Sequence, residues 1–190
     1  MGATISRLWT PEPIWVGLIG LRSAGKTAIV YRLSGNKAPV TPSMDSESPQ
    51  YYKIMYRLTA RTAVTTALVH QASQQFDLLD YTGEPKIRPA WRSFMTRVHA
   101  VVFVIDSSDR ETLPEAKTEL SYLLKEEMLD HQPFLIFANK QDYPVSNTLT
   151  TCKAGTNVEQ KAMSAAELTE YLGIQQYRER DLKCVCISFS

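Results

Sequence analysis

Cysteine is scarce. Cys152, Cys184 and Cys186 are the only three, an odd number and too few for a disulfide framework. Cys184 and Cys186 lie two apart in a strand-like run, so their side chains share a face. With no histidine beside them, a buried reduced pair is expected there rather than a zinc site. No apolar run approaches the roughly 18 residues that a membrane-spanning helix needs. Charge of one sign is also missing: 21 Lys and Arg against 20 Asp and Glu leave a net +1. That balance gives no electrostatic footprint for nucleic acid, which is not expected as a partner. Internal repeats are absent, and 44% hydrophobic with 22% charged residues excludes collagen-like and disordered chains. What is left is the profile of a cytoplasmic globular chain of 190 residues, the size of one domain.

Within it, apolar runs bounded by turn signals alternate with stretches of helical period. Ile14 to Ile19 is an almost wholly apolar run ending at Gly20, which suits a strand buried on both faces. Ala28, Ile29 and Leu33 then recur at helical spacing, predicting a helix over 25–33. Tyr51 to Thr59 is rich in β-formers, and Phe76 to Leu79 reads as its hairpin partner. Ala100 to Ile105 and Phe134 to Ala138 are two more buried strands. A helix over 113–129 carries Leu120, Leu123, Leu124 and Met128 between them. Ser164 with Glu167 predicts a capped helix to Leu172, stopped by Gly173, before a last strand over 182–187. Pro39 to Gln50 and Tyr143 to Gln160 read as loops. Strands alternating with helices predict an α/β fold with a mostly parallel, doubly wound sheet and one antiparallel hairpin strand.

The strongest chemical signal follows the first strand. Gly20-Leu21-Arg22-Ser23-Ala24-Gly25-Lys26-Thr27 has the spacing of a phosphate-binding P-loop, between a strand and a helix as the mechanism requires. Glycines let backbone N–H groups turn toward phosphate oxygens, and the helix N-terminus adds its positive end. Lys26 can reach the β- and γ-phosphates, and the Thr27 hydroxyl can ligate Mg²⁺. Asp80-Tyr81-Thr82-Gly83 and Asn139-Lys140-Gln141-Asp142 each follow a strand, at the ends where open parallel sheets bind ligands. A P-loop metabolite kinase would explain the first motif but not Asn139 to Asp142.

With these motifs the chain resembles the ADP-ribosylation-factor-like small GTPases, P-loop NTPases in fold. Lys86-Ile87-Arg88-Pro89-Ala90-Trp91-Arg92, Val104 to Glu111, Phe137 to Asp142 and Ala162 to Leu168 carry the likeness further, over most of residues 14–190. The resemblance implies a switch that cycles between GTP and GDP, hydrolyses GTP with Mg²⁺ and serves membrane or vesicle trafficking. It implies an exchange factor, a GTPase-activating protein and effectors as partners. By the same likeness, Asp142 would accept from guanine N1 and its exocyclic amine, and Asn139 would bond the other edge. The Lys140 stem would cover the base. Asp80 would hold Mg²⁺ through water, and the Gly83 N–H would meet the γ-phosphate. Met1-Gly2-Ala3-Thr4-Ile5-Ser6 fits the myristoylation pattern at Gly2. With Ile5, Leu8 and Trp9 at helical spacing, segment 1–13 reads as an amphipathic anchor for reversible membrane association, ahead of a GTPase domain over 14–190.

Several residues depart from the family pattern. Glu84 stands where the family has the Gln that orients the attacking water, so slow hydrolysis is expected, with Glu84 in the catalytic position. A degenerate nucleotide-binding scaffold with little turnover is the alternative. Ser43 falls where the family has the Mg²⁺-binding Thr, with Thr41 as another possible ligand. Arg22 replaces an Asp, either adding positive charge to the site or pointing to solvent. Inserted loops are expected near 61–70 and 145–160. Phe189 falls on the last base-contact loop, and the helix that closes the family fold has no counterpart before Ser190.

Overall fold

The computed structural model describes residues 12–35, 64–71, 74–142, 162–177 and 179–187. Its centre is β1 (Ile14–Ile19), whose unbroken apolar run is what a strand with neighbours on both sides requires. One neighbour is β3 (Gln74–Tyr81) and the other is β4 (Ala100–Asp106), both parallel to it. β5 (Phe134–Asn139) and β6 (Leu182–Cys186) extend the parallel sheet beyond β4. β2 (Val64–Gln71) closes the other edge, antiparallel to β3. The order is therefore β2-β3-β1-β4-β5-β6. The chain leaves β1 toward one edge and returns to build the other, which makes the crevice between β1 and β4 the topological switch point.

Among the described residues, four α-helices pack on this sheet. α1 (Lys26–Leu33) follows β1, α2 (Arg88–Met95) follows β3, α3 (Leu113–Leu124) follows β4, and α4 (Ala165–Leu172) precedes β6. Trp91, Phe94 and Met95 of α2 join Leu120 and Leu124 of α3 and Leu168 and Leu172 of α4 against Phe103, Ile105 and Ile136. On the opposite face Ile29 and Val30 of α1 pack on Leu18, Leu78, Val102 and Val104. Each fully buried Leu, Ile or Val of these layers contributes about 1.5–3 kcal/mol.

Local chemistry explains the helix ends. Ser164 and Glu167 form a reciprocal capping box, with Ser164 N–H donating to Glu167 Oε2 at 2.8 Å and Glu167 N–H to Ser164 Oγ at 3.3 Å. Gly173, at φ 68°, ends the same helix in the left-handed conformation that the sequence predicts. Pro89 near the start of α2 needs no N–H there.

Three expectations need correction, and one helix lies outside them. β3 pairs with Val64–Gln71, not with 51–59, so the tract read as an inserted loop near 61–70 contains the hairpin strand; 51–59 lies outside the described residues. Only residues 72 and 73 separate β2 from β3, and such short connections favour hairpin pairing. The helix expected over 113–129 ends at Leu124, and a 3₁₀ turn follows at Glu127–Leu129. α2 is a helix that the sequence pattern does not announce. Finally, Cys184 is half-buried and Cys186 exposed, because their strand lies at the sheet's rim. Burial still pushes the Cys184 thiol above its ordinary value.

Candidate functional site

The three motifs converge at the C-terminal ends of β1, β3 and β5. Gly20 to Gly25 form the turn out of β1, and α1 begins at Lys26. Gly20, Ser23 and Gly25 all hold positive φ in this turn. Ser23 holds a left-handed φ of 61°, and Gly25 holds φ 96°, a region costly for any side chain. A Cβ on Gly25 would also lie 2.2 Å from Asn139 Nδ2, so glycine is needed there twice over.

Lys26 is only 6% exposed. Its Nζ donates to the carbonyls of Gly20 at 3.0 Å and Leu21 at 2.8 Å, which bends the ammonium back over the mouth of the loop. Burial lowers its pKa to about 8; the Asp80 carboxylate opposes that shift and Arg88 adds to it. Asp80, also 6% exposed, accepts from Thr27 Oγ1 at 2.5 Å. A hydroxyl and a carboxylate in direct contact beside a buried ammonium suit a hard divalent cation with phosphate oxygens. Ser43, the third expected metal ligand, lies outside the described residues, as do Thr41 and Gly2.

The loop after β3 presses on the phosphate loop. A Cβ on Gly83 would come within 2.4 Å of both Arg22 N and Leu21 C, backbone atoms that cannot yield. The Gly83 carbonyl accepts from Arg88 Nε at 3.0 Å, and the Thr82 carbonyl accepts from Trp91 Nε1 at 3.2 Å. Arg88 is buried, yet Glu115 Oε1 at 2.6 Å and Glu119 Oε1 at 3.3 Å balance its charge. Thus α2 and α3 hold the backbone of the Asp-x-x-Gly loop from behind. Glu84, next along, points outward and pairs with Arg22 at 3.4 Å.

The third loop carries the residues expected to read the base. Asn139 is 4% exposed; its Nδ2 donates to the Ala24 carbonyl at 2.9 Å, while its Oδ1 is buried with no hydrogen-bond partner among the described residues. A buried, unpaired amide oxygen is costly, and a ligand donor would relieve it. Lys140, at φ 61°, turns its Nζ to Asp106 Oδ2 at 2.5 Å, and Asp106 Oδ1 accepts from Ser108 N–H and Oγ. Gln141 Nε2 donates to Ser107 Oγ at 2.8 Å and the Met163 carbonyl at 2.7 Å. Ser107 Oγ in turn donates to the Asn139 carbonyl. Asp142 stands exposed at the tip. The expected last base-contact loop, with Phe189, lies outside the described residues.

Of the expected site residues, the structure brings Gly20 to Thr27, Asp80, Gly83 and Asn139 into mutual contact, and Lys140 and the exposed Asp142 follow Asn139 in the chain. Sequence reasoning assigns no role to Arg88, Trp91, Ser107, Gln141 or Met163. For Arg88 and Trp91 the signal lies in the run Lys86 to Arg92, which on sequence alone is only a mark of likeness. The close-packed glycine turns, the buried lysine and the Thr27–Asp80 contact together fit a phosphate ligand with a divalent cation.

Comparison with known proteins agrees with this geometry. The ADP-ribosylation factor family model matches residues 5–189. Among solved structures, the chain is similar to the Arl6 (BBS3) small GTPase from Trypanosoma brucei with bound nucleotide analogue GppNp. The TM-score is 0.65 at 22% identity, over 94% of this chain and 88% of that one. At that identity the likeness speaks for the fold.

Proposed function

The chain belongs to the ADP-ribosylation factor family, a family of small guanine-nucleotide-binding switches, and from that premise we propose that it cycles between GTP- and GDP-bound states with slow Mg²⁺-dependent hydrolysis. The observation that carries the proposal is the Asn139–Ala24 hydrogen bond, which fastens a base-reading loop to a phosphate loop already built around the buried Lys26. Lys26 would bind β- and γ-phosphate oxygens. Asp142 would accept the two guanine N–H donors that adenine does not offer in that arrangement, which gives discrimination by unpaired polar groups. Thr27, Ser43 and, through water, Asp80 would hold Mg²⁺. When bound, the ion supplies positive charge to the phosphate oxygens. By its place directly after Gly83, Glu84 would stand beside an attacking water. Ionised, it accepts a hydrogen bond but donates none, which limits how it can orient that water.

The Arg22–Glu84 ion pair also favours a second reading, a nucleotide-binding scaffold with little turnover, because it occupies the carboxylate in the free protein. The first eleven residues extend the proposal to lipid. Gly2 would carry a myristoyl chain, and segment 1–13 would place a cytoplasmic protein reversibly on membranes, in the service of trafficking. One acyl chain binds only marginally, so the nucleotide state would decide the outcome.

Titration with GTP, GDP and ATP, with and without Mg²⁺, followed by one turnover, tests the nucleotide proposal. Tight guanine-nucleotide binding with measurable hydrolysis supports the switch. Binding without hydrolysis supports the scaffold, and equal affinity for ATP refutes both. Equal flotation of GTP- and GDP-loaded acylated protein with liposomes would dispose of the membrane proposal.

A further inference from the structure

Arg22 lies where an anionic ligand would be held, and so does Glu84, one residue beyond Gly83. The backbone of Gly83 is pressed so closely on Leu21 and Arg22 that not even a Cβ fits between them. Glu84 therefore cannot move far from the phosphate loop without undoing that contact. An unpaired carboxylate at this spot would repel a terminal phosphate. The only ion pair of Glu84 among the described residues is with Arg22, at 3.4 Å. The nearby cations do not substitute: Arg88 is engaged by Glu115, Glu119 and the Gly83 carbonyl, and Lys26 by the Gly20 and Leu21 carbonyls. Both partners are largely exposed, at 77% and 48% of their side chains, so the pair contributes little to folding. What it changes is the charge beside the ligand.

Building on the guanine-nucleotide reading, we infer that Arg22 is a positioning residue that acts through Glu84: it cancels the carboxylate's charge and holds it off the terminal phosphate, so that this chain can bind a nucleoside triphosphate with an acid where a neutral side chain would otherwise be needed. A diphosphate lacks the group that Glu84 would repel, and its binding is nearly indifferent to Arg22.

The test uses the full chain with fluorescent GDP and a fluorescent, non-hydrolysable GTP analogue, and compares Arg22→Ala, Arg22→Lys, Glu84→Gln and the double variant Arg22→Ala/Glu84→Gln. Arg22→Ala should lower the triphosphate-to-diphosphate affinity ratio by about tenfold, an effect of one unit charge that shrinks as salt is raised. Arg22→Lys should retain most of the ratio. The double variant should return to within about twofold of the native ratio, because the neutral amide brought in by Glu84→Gln needs no counter-charge. Melting temperatures of the ligand-free variants should agree within about 2 °C, as expected for an exposed pair. An unchanged ratio in Arg22→Ala overturns the inference. So does a double variant as defective as Arg22→Ala, since Arg22 would then be acting on the nucleotide directly. Failure of the native chain to bind GDP would instead bring down the guanine-nucleotide reading, and this inference with it.

Discussion

Arg88 Nε donates to the Gly83 carbonyl at 3.0 Å while the same guanidinium is held by Glu115 from α3. One buried cation thus connects the loop that would sense the terminal phosphate to two helices behind it. Removing it leaves the Gly83 carbonyl short of a donor and two carboxylates without their counter-charge. Breaking a fully buried pair costs about 3–5 kcal/mol; with Glu115 half exposed, Arg88→Ala should destabilise by about 2–3 kcal/mol. Arg88→Lys keeps the charge but not the fork and should fall between. Urea unfolding measures both, and a loss below about 0.5 kcal/mol for the alanine variant would contradict this role.

Gly83→Ala tests the same loop from its other side. The added methyl would meet backbone at 2.4 Å, so the loop has to lift from the phosphate loop. Affinity for a non-hydrolysable GTP analogue should drop at least about tenfold, with GDP affinity changed less than about threefold. Equal losses for both nucleotides would show that the loop senses no terminal phosphate.

Lys26 makes nucleotide binding depend on pH in a defined direction. Its pKa in the ligand-free protein is about 8, and phosphate oxygens beside it would raise that value. Binding therefore takes up about half a proton at pH 8 and almost none at pH 6, and affinity weakens as pH rises through 8. The unfolded chain keeps this proton up to about 10.5, so ligand-free stability should rise, not fall, between pH 8 and 10.5 on this group's account. Calorimetry in buffers of different ionisation enthalpy reads the uptake directly. Zero uptake at pH 8 would mean that Lys26 is already fully charged before the ligand arrives.

Asn139→Ala should weaken GDP and the GTP analogue alike, because it unties the base loop from the phosphate loop at Ala24. The lost hydrogen bond to Ala24 costs stability while removal of the unpaired Oδ1 returns some, so ligand-free stability should change by less than about 1 kcal/mol in urea unfolding. A variant that weakens one nucleotide selectively would place Asn139 outside the shared hinge of the two loops.

What the sequence alone makes legible is whatever is local in the chain. The strand–turn–helix of Ile14 to Leu33 is contiguous, and the capping box of Ser164 and Glu167 is closed within four positions, so both are legible. The hairpin strand is not, because Tyr51 to Thr59 and Val64 to Gln71 offer similar β-forming composition, and only register with β3 separates them. Arg88 is illegible as a buried cation because its partners lie 27 and 31 positions away. Arg22 can be read as solvent-facing or as part of the site. Its side chain is exposed and paired with Glu84.

The missing Cβ of Gly25, the space filled by Asn139 Nδ2, has a mechanical meaning. Two loops that would grip opposite ends of a nucleotide touch here, so moving either one disturbs the other. A protein that ejects a bound nucleotide would then need only one point of leverage: prying at the base end should loosen the phosphates, and prying at the phosphates should free the base.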